Sequence, residues 1–184
     1  MQAVPDVVRK HWPEYLMEAA GLGLFMISAA VVTTLLEYPH SPLHGLFADQ
    51  ATRRLMIGLA MGATAIGLIY SPWGKRSGAH LNPAVTLTFY RLGKIGGIDA
   101  CSYVMAQFFG GALGLWLVSR AIGKAVEHPA VNYVVTTPGP AGSGTAFVAE
   151  ALISFGLMLV VLMVSNTTSL NAWTGCVAGA LVAT

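Results

Sequence analysis

The chain has 184 residues, of which 55% are hydrophobic and 10% charged, with a formal net charge of +2. A soluble domain carries roughly 25% charged residues, so this composition excludes an ordinary soluble fold and points to an integral membrane protein. The small net charge, with no basic cluster interleaved with aromatics, excludes a nucleic-acid partner. Cys101 and Cys176 both sit in apolar runs and read as buried small hydrophobes rather than a disulfide or metal pair.

The first apolar run, Tyr15 to Leu36, follows Arg9 and Lys10 and is long enough to span a bilayer. That length separates it from a cleavable secretion signal. It carries Glu18 just inside its start, in MEAAGLGLF. The loop from Glu37 to Thr52 contains HSPLH, His40 to His44, with metal-like spacing but no third ligand, so it reads as a solvated loop. A second span covers Leu55 to Tyr70; it is short and is expected to extend or to run into the segment that follows.

Next comes SGAHLNPAVT, Ser77 to Thr86, a polar interruption where the surrounding sequence is membrane. Asn82 is a good N-cap, and Pro83 suits the first helical position because its missing N–H is not needed there. The run to Leu92 predicts a short helix stopped at Gly93, with Arg91 and Lys94 at the end where the helix dipole favours cations. Ten residues make a helix of about 15 Å, half of a ~30 Å hydrocarbon core. Such a half-helix is a re-entrant loop, tolerated only where it is buried in protein or lines a water-filled cavity.

The third span is Ala100 to Ser119, with Gln107 placed for a packing hydrogen bond, and the fourth is Phe147 to Val164, with Glu150 in AEALISFGL. A fifth begins near Trp173. Gly58 and Gly62, and Gly110 and Gly114, are spaced for close helix packing. Six Lys or Arg residues (Arg9, Lys10, Lys75, Arg76, Arg91, Lys94) lie on the N-terminal side of these spans and four (Arg53, Arg54, Arg120, Lys124) on the other, which biases the N-terminus to the cytoplasm.

The stretch SGAHLNPAVT resembles the first signature loop of the aquaporin, or major intrinsic protein, family. The resemblance implies an all-α membrane fold, an inverted-repeat helical bundle in one domain over residues 1–184, with a first repeat to about residue 125 and a partial second from about residue 145. The paired Glu18 and Glu150 contexts fit such a repeat, and a second Asn-Pro-Ala is then expected roughly 20 to 30 residues beyond Thr184. The family's second half-helix, selectivity arginine and fifth-span filter residue have no counterpart in these residues.

Function follows as expectation. Asn82, Pro83 and Ala84 form the pore motif, and the carbonyls of Gly78, Ala79, His80 and Leu81 line the path on an extended backbone. Glu18, Glu150 and His80 support the loops. Met61, or Gly62 without a gap, stands where family members carry a filter residue. The resemblance implies a passive channel for water, with glycerol or other small neutral solutes admitted by a wall lacking the usual aromatic, no cofactor, a homotetramer and a plasma-membrane location. A non-conducting structural role and a secondary transporter are the alternatives. The spans lack ionisable groups near their midpoints, which disfavours the transporter, and no nucleophile with a base favours an enzyme.

Overall fold

The computed structural model describes residues 4–184. The chain is helical: α1 (Val4–Glu37), α2 (Pro42–Leu46), α3 (Gln50–Tyr70), α4 (Pro72–Ser77), α5 (Pro83–Arg91), α6 (Gly97–Ile122), α7 (Lys124–Glu127), α8 (Gly142–Ser165) and α9 (Thr174–Val182), with single 3-10 turns at Asn132–Val134 and Asn171–Trp173. Four helices, α1, α3, α6 and α8, are long and apolar enough to cross a membrane. At 34 residues, α1 is about 51 Å long and outruns a ~30 Å core, so its first turns with Arg9 and Lys10 stand beyond the hydrocarbon.

The short second span is explained at both of its ends. Asp49 caps α3 by accepting from the N–H of Thr52 at 2.7 Å, so the helix starts at Gln50 rather than Leu55. After Tyr70 the chain breaks at Ser71, whose hydroxyl caps α4 by accepting from Gly74 N–H at 2.9 Å, and Pro72 opens that helix. A one-and-a-half-turn helix therefore precedes the polar segment, where the sequence reading expected none.

α1 packs on α6, and α3 on α9. Both crossings depend on glycine. A Cβ on Gly110 would strike the backbone of Ala19, one on Gly114 the backbone of Gly23, and one on Gly23 would lie 2.9 Å from the carbonyl of Gly110. The two backbones of α1 and α6 thus touch with no side chain between them. Likewise a Cβ on Gly62 would meet the backbone of α9 at Gly179, and one on Gly58 the backbone of Ala183, which caps that helix. Both glycine pairs are consumed inside the protomer.

α8 has no buried residue and rests on α9 and the turn before it. Beyond Glu150 its surface is almost entirely apolar and fits contact with lipid. Cys101 is exposed on α6, contrary to the expectation that both cysteines are buried; an apolar residue in a bilayer needs no protein cover. His44 bonds the carbonyl of Leu36 at 2.9 Å, and among the described residues no three His, Cys, Asp or Glu side chains gather as a metal site.

The glycine crossing gives a direct test. Gly110→Val is expected to destabilise the protein by roughly 3 kcal/mol through overpacking, seen as a lower melting temperature in detergent. Gly111→Ala, which meets only the flexible side chains of Leu22 and Met26 at 3.5 Å and beyond, is expected to melt at or above the parent.

Candidate functional site

The segment between α4 and α5 returns the chain into the bundle without regular hydrogen bonding. Gly78 ends α4 in the left-handed conformation (φ 90°), and its N–H closes on the Gly74 carbonyl at 2.9 Å. Ala79 and Leu81 also have positive φ, 47° each. The backbone is therefore not extended, as expected from sequence, but turned through left-handed steps that cost a non-glycine residue about 1–2 kcal/mol each.

Glu18 holds this turn. It is fully buried, and its carboxylate accepts four hydrogen bonds: Oε1 from Ser77 Oγ (2.7 Å) and His80 N–H (3.1 Å), Oε2 from Leu81 N–H (2.7 Å) and Gln107 Nε2 (2.8 Å). The Tyr103 hydroxyl donates to the Ser77 carbonyl at 2.7 Å. Two backbone N–H groups of this non-helical turn are thereby satisfied by a carboxylate, in hydrogen bonds worth roughly 1.5–3 kcal/mol each. One turn further along α1, Gly21 leaves the space that the Leu81 side chain occupies.

His80 is fixed from every direction. Its ring stacks on Phe89 (centroids 4.9 Å apart, 19°) and meets the edge of Tyr103 at 5.2 Å. Its Nδ1 lies 3.1 Å from Thr86 Oγ1, a fully buried hydroxyl that also receives Gln107 Nε2 at 3.1 Å and donates to the Asn82 carbonyl at 3.2 Å. The hydroxyl has one proton and it is directed to the Asn82 carbonyl, so proton counting makes Nδ1 of His80 the donor.

Asn82 caps α5 with φ −158° and ψ 128°, its Oδ1 accepting from Ala84 N–H at 2.7 Å, and Pro83 opens the helix as expected. The side-chain oxygen is thus committed to the helix, and the two Nδ2 hydrogens have no partner among the described residues. The carbonyls of Gly78, Ala79, His80 and Leu81 likewise accept no hydrogen bond there.

All five residues from Gly78 to Asn82 line a cavity of about 410 Å³. The remaining wall is largely apolar, with Phe25 of α1, Ala65 and Ile69 of α3, Val161 of α8 and Ala178 of α9 among its residues; Ser165 and Thr174 add hydroxyls. Among the described residues of the lining, His80 alone carries a titratable side chain.

Of the residues expected to act, Glu18, His80 and Asn82 meet at one place. Met61 and Gly62 are buried but do not line the cavity: Gly62 is turned to α9, and Ala65 and Ile69, one and two turns beyond Met61, face the space instead. Glu150 is exposed on α8 with no hydrogen-bonding partner among the described residues. Sequence reasoning missed Ser77, Thr86 and Tyr103, and gave Gln107 only a packing role. Thr86 lies one turn after Asn82 and Gln107 one turn after Tyr103, but nothing in one sequence aligns those two pairs across the bundle.

A helical membrane bundle with a capped half-helix held by a buried carboxylate is the arrangement of a channel family. The sequence profile of the major intrinsic proteins matches residues 7–183, and the chain belongs to that family, whose members are channels rather than enzymes. It is 39% identical over 110 residues to a probable aquaporin, AqpM, of Archaeoglobus fulgidus, covering 59% of this chain and 44% of that protein. It is 35% identical over 118 residues to a glycerol uptake facilitator protein-like 6 of Lactiplantibacillus plantarum (64% and 54%), and 33% over 146 residues to aquaporin NIP2-1 of Zea mays (78% and 47%). The chain spans about half the length of these curated relatives.

Glu18→Gln keeps the shape but offers an NH2 to donors that need an acceptor. Loss of the buried charge from this network is expected to cost about 3–5 kcal/mol and to speed amide hydrogen exchange at residues 78–82 beyond that of α6. A Glu18→Gln protein with parent-like exchange in that segment would show that the turn holds without the carboxylate.

Proposed function

We propose that the chain forms part of a passive pore for water and small uncharged solutes, with the segment Gly78–Asn82 as its polar wall. The observation that carries this reading is the pairing, along one side of a mainly apolar cavity, of four carbonyls without donors and an asparagine amide without an acceptor. A water molecule can donate to the carbonyls and accept from Asn82 Nδ2. The N-terminus of α5 adds positive potential at the same point, which orients water oxygen-first and opposes cations.

Neutral solutes fit the electrostatics. Glu18 carries the nearest buried charge, and its acceptor capacity is directed into the turn rather than the cavity. With Ala65 and Ile69 as the α3 wall, the path has no aromatic constriction from that helix, which favours solutes of glycerol size alongside water. The names of the relatives, a probable aquaporin and a glycerol facilitator-like protein, are consistent with that range.

The six-to-four distribution of basic residues supports a cytoplasmic N-terminus, and a plasma-membrane location is proposed from family membership alone. A homotetramer is proposed from family membership alone, because the glycine faces that would suit it are engaged within the protomer.

Stopped-flow light scattering of proteoliposomes under an osmotic step tests the pore. The parent is expected to pass water well above empty liposomes, and Asn82→Trp, which fills the space beside the α5 cap, is expected to abolish the difference; a glycerol gradient reads the width. Parent flux equal to empty liposomes, with circular dichroism showing an intact helical fold, would favour a structural role instead.

A further inference from the structure

A second concavity lies on the outer surface, apart from the cavity. Trp12, Pro13, Leu16, Met17 and Ala20, a single stripe of α1, face Trp73 of α4 across a groove of about 310 Å³, at the small end of the ~300–1,000 Å³ typical of ligand sites. None of the six lines the first cavity. Trp12 (54%), Leu16 (59%) and Trp73 (51%) are all exposed. In water such a surface would be unfavourable; beside a bilayer it meets acyl chains.

Its mouth is cationic. Arg9 lies one turn before Trp12 and Pro13 on the same stripe and is exposed, and Lys75 and Arg76 follow Trp73 directly, also exposed. Of the acids at this end, Glu14 is paired with Arg76 at 2.8 Å and Asp99 with His11 at 2.9 Å, while Asp6 makes no ion pair. Arg9 and Lys75 therefore make no ion pair among the described residues. Tryptophan rings sit at the headgroup boundary, where the indole body is in lipid and its N–H is wet.

We propose that this groove is a binding site for an anionic phospholipid of the adjacent leaflet. One acyl chain lies on Leu16, Met17 and Ala20 between the two indoles, and the headgroup phosphate meets Arg9 and Lys75. The charge complementarity selects the anionic lipid and the apolar depth selects a chain over a free phosphate. The site depends only on membrane insertion and stands whether or not the pore conducts.

Tryptophan quenching in vesicles tests it, using the full chain with Trp116→Phe and Trp173→Phe so that only the groove pair reports. Phosphatidylcholine vesicles are doped with phospholipid brominated on its acyl chain, bearing either a phosphatidylglycerol or a phosphatidylcholine headgroup. The brominated phosphatidylglycerol is expected to quench at the lower mole fraction. Replacing Arg9 and Lys75 by Gln, which leaves the packed interior untouched, is expected to remove that preference, on the order of five-fold for each cation. Ala20→Phe, which fills the floor of the groove, is expected to weaken quenching by both lipids. Equal quenching by the two headgroups, a preference that survives removal of both cations, or indoles shielded from both lipids at high protein density, as when a second copy covers the groove, would each overturn the assignment.

Discussion

The buried carboxylate of Glu18 is the interaction on which the rest of this structure depends. A chain that re-enters a bilayer must satisfy its backbone groups without water, and helices do this internally whereas a turn cannot. Here the N–H groups of His80 and Leu81 are both satisfied by one side chain of another helix, and so is the hydroxyl of Ser77. Burying a carboxylate costs several kcal/mol unless its lone pairs are met, and four donors meet them. The charge and the turn each make the other tolerable.

That arrangement requires α6 to come very close to α1, since Gln107 and Tyr103 of α6 complete it. The glycines at 23, 110 and 114 supply the proximity. A sequence of causes therefore runs from small residues on two helices, through backbone contact, to the amide of Gln107 beside Glu18, and from there to the left-handed turn. Loss of any early step is felt at the cavity wall, although none of those glycines touches it.

Much of this was legible in the residues. Asn82-Pro83 announced a helix start inside a membrane segment, and Glu18 announced a charge in need of partners; both readings rest on local chemistry. The helix α4 was missed although Ser71-Pro72 and Gly78 are ordinary start and stop signals, because the apolar run before it drew the second span onward. The cavity-facing side of α3 was not legible at all. Met61, Gly62, Ala65 and Ile69 share one mostly apolar stretch of α3, and the position of α9, which takes Gly62 as its contact, decides which of them face the open space. In a membrane helix, hydrophobicity marks the lipid face and the packed face alike, so periodicity carries little of the information it carries in water.

The same hydrogen bonds bear on what Glu18 can do. A carboxylate that carries protons in a transport cycle must exist in both charge states with the structure intact. Placing a hydrogen on either Glu18 oxygen, each already accepting two hydrogen bonds, would take the acceptor from one donor among Ser77, His80, Leu81 and Gln107. If the donor lost were the N–H of Leu81 or His80, the left-handed turn would lose what offsets its strain. The geometry makes Glu18 a structural acceptor committed to four donors, while His80, held by Thr86 and Phe89, is the side chain of this cluster that lines the cavity. A proton-coupled cycle would need a group that moves between partners, whereas the Glu18 carboxylate is held by four donors from two other segments at once.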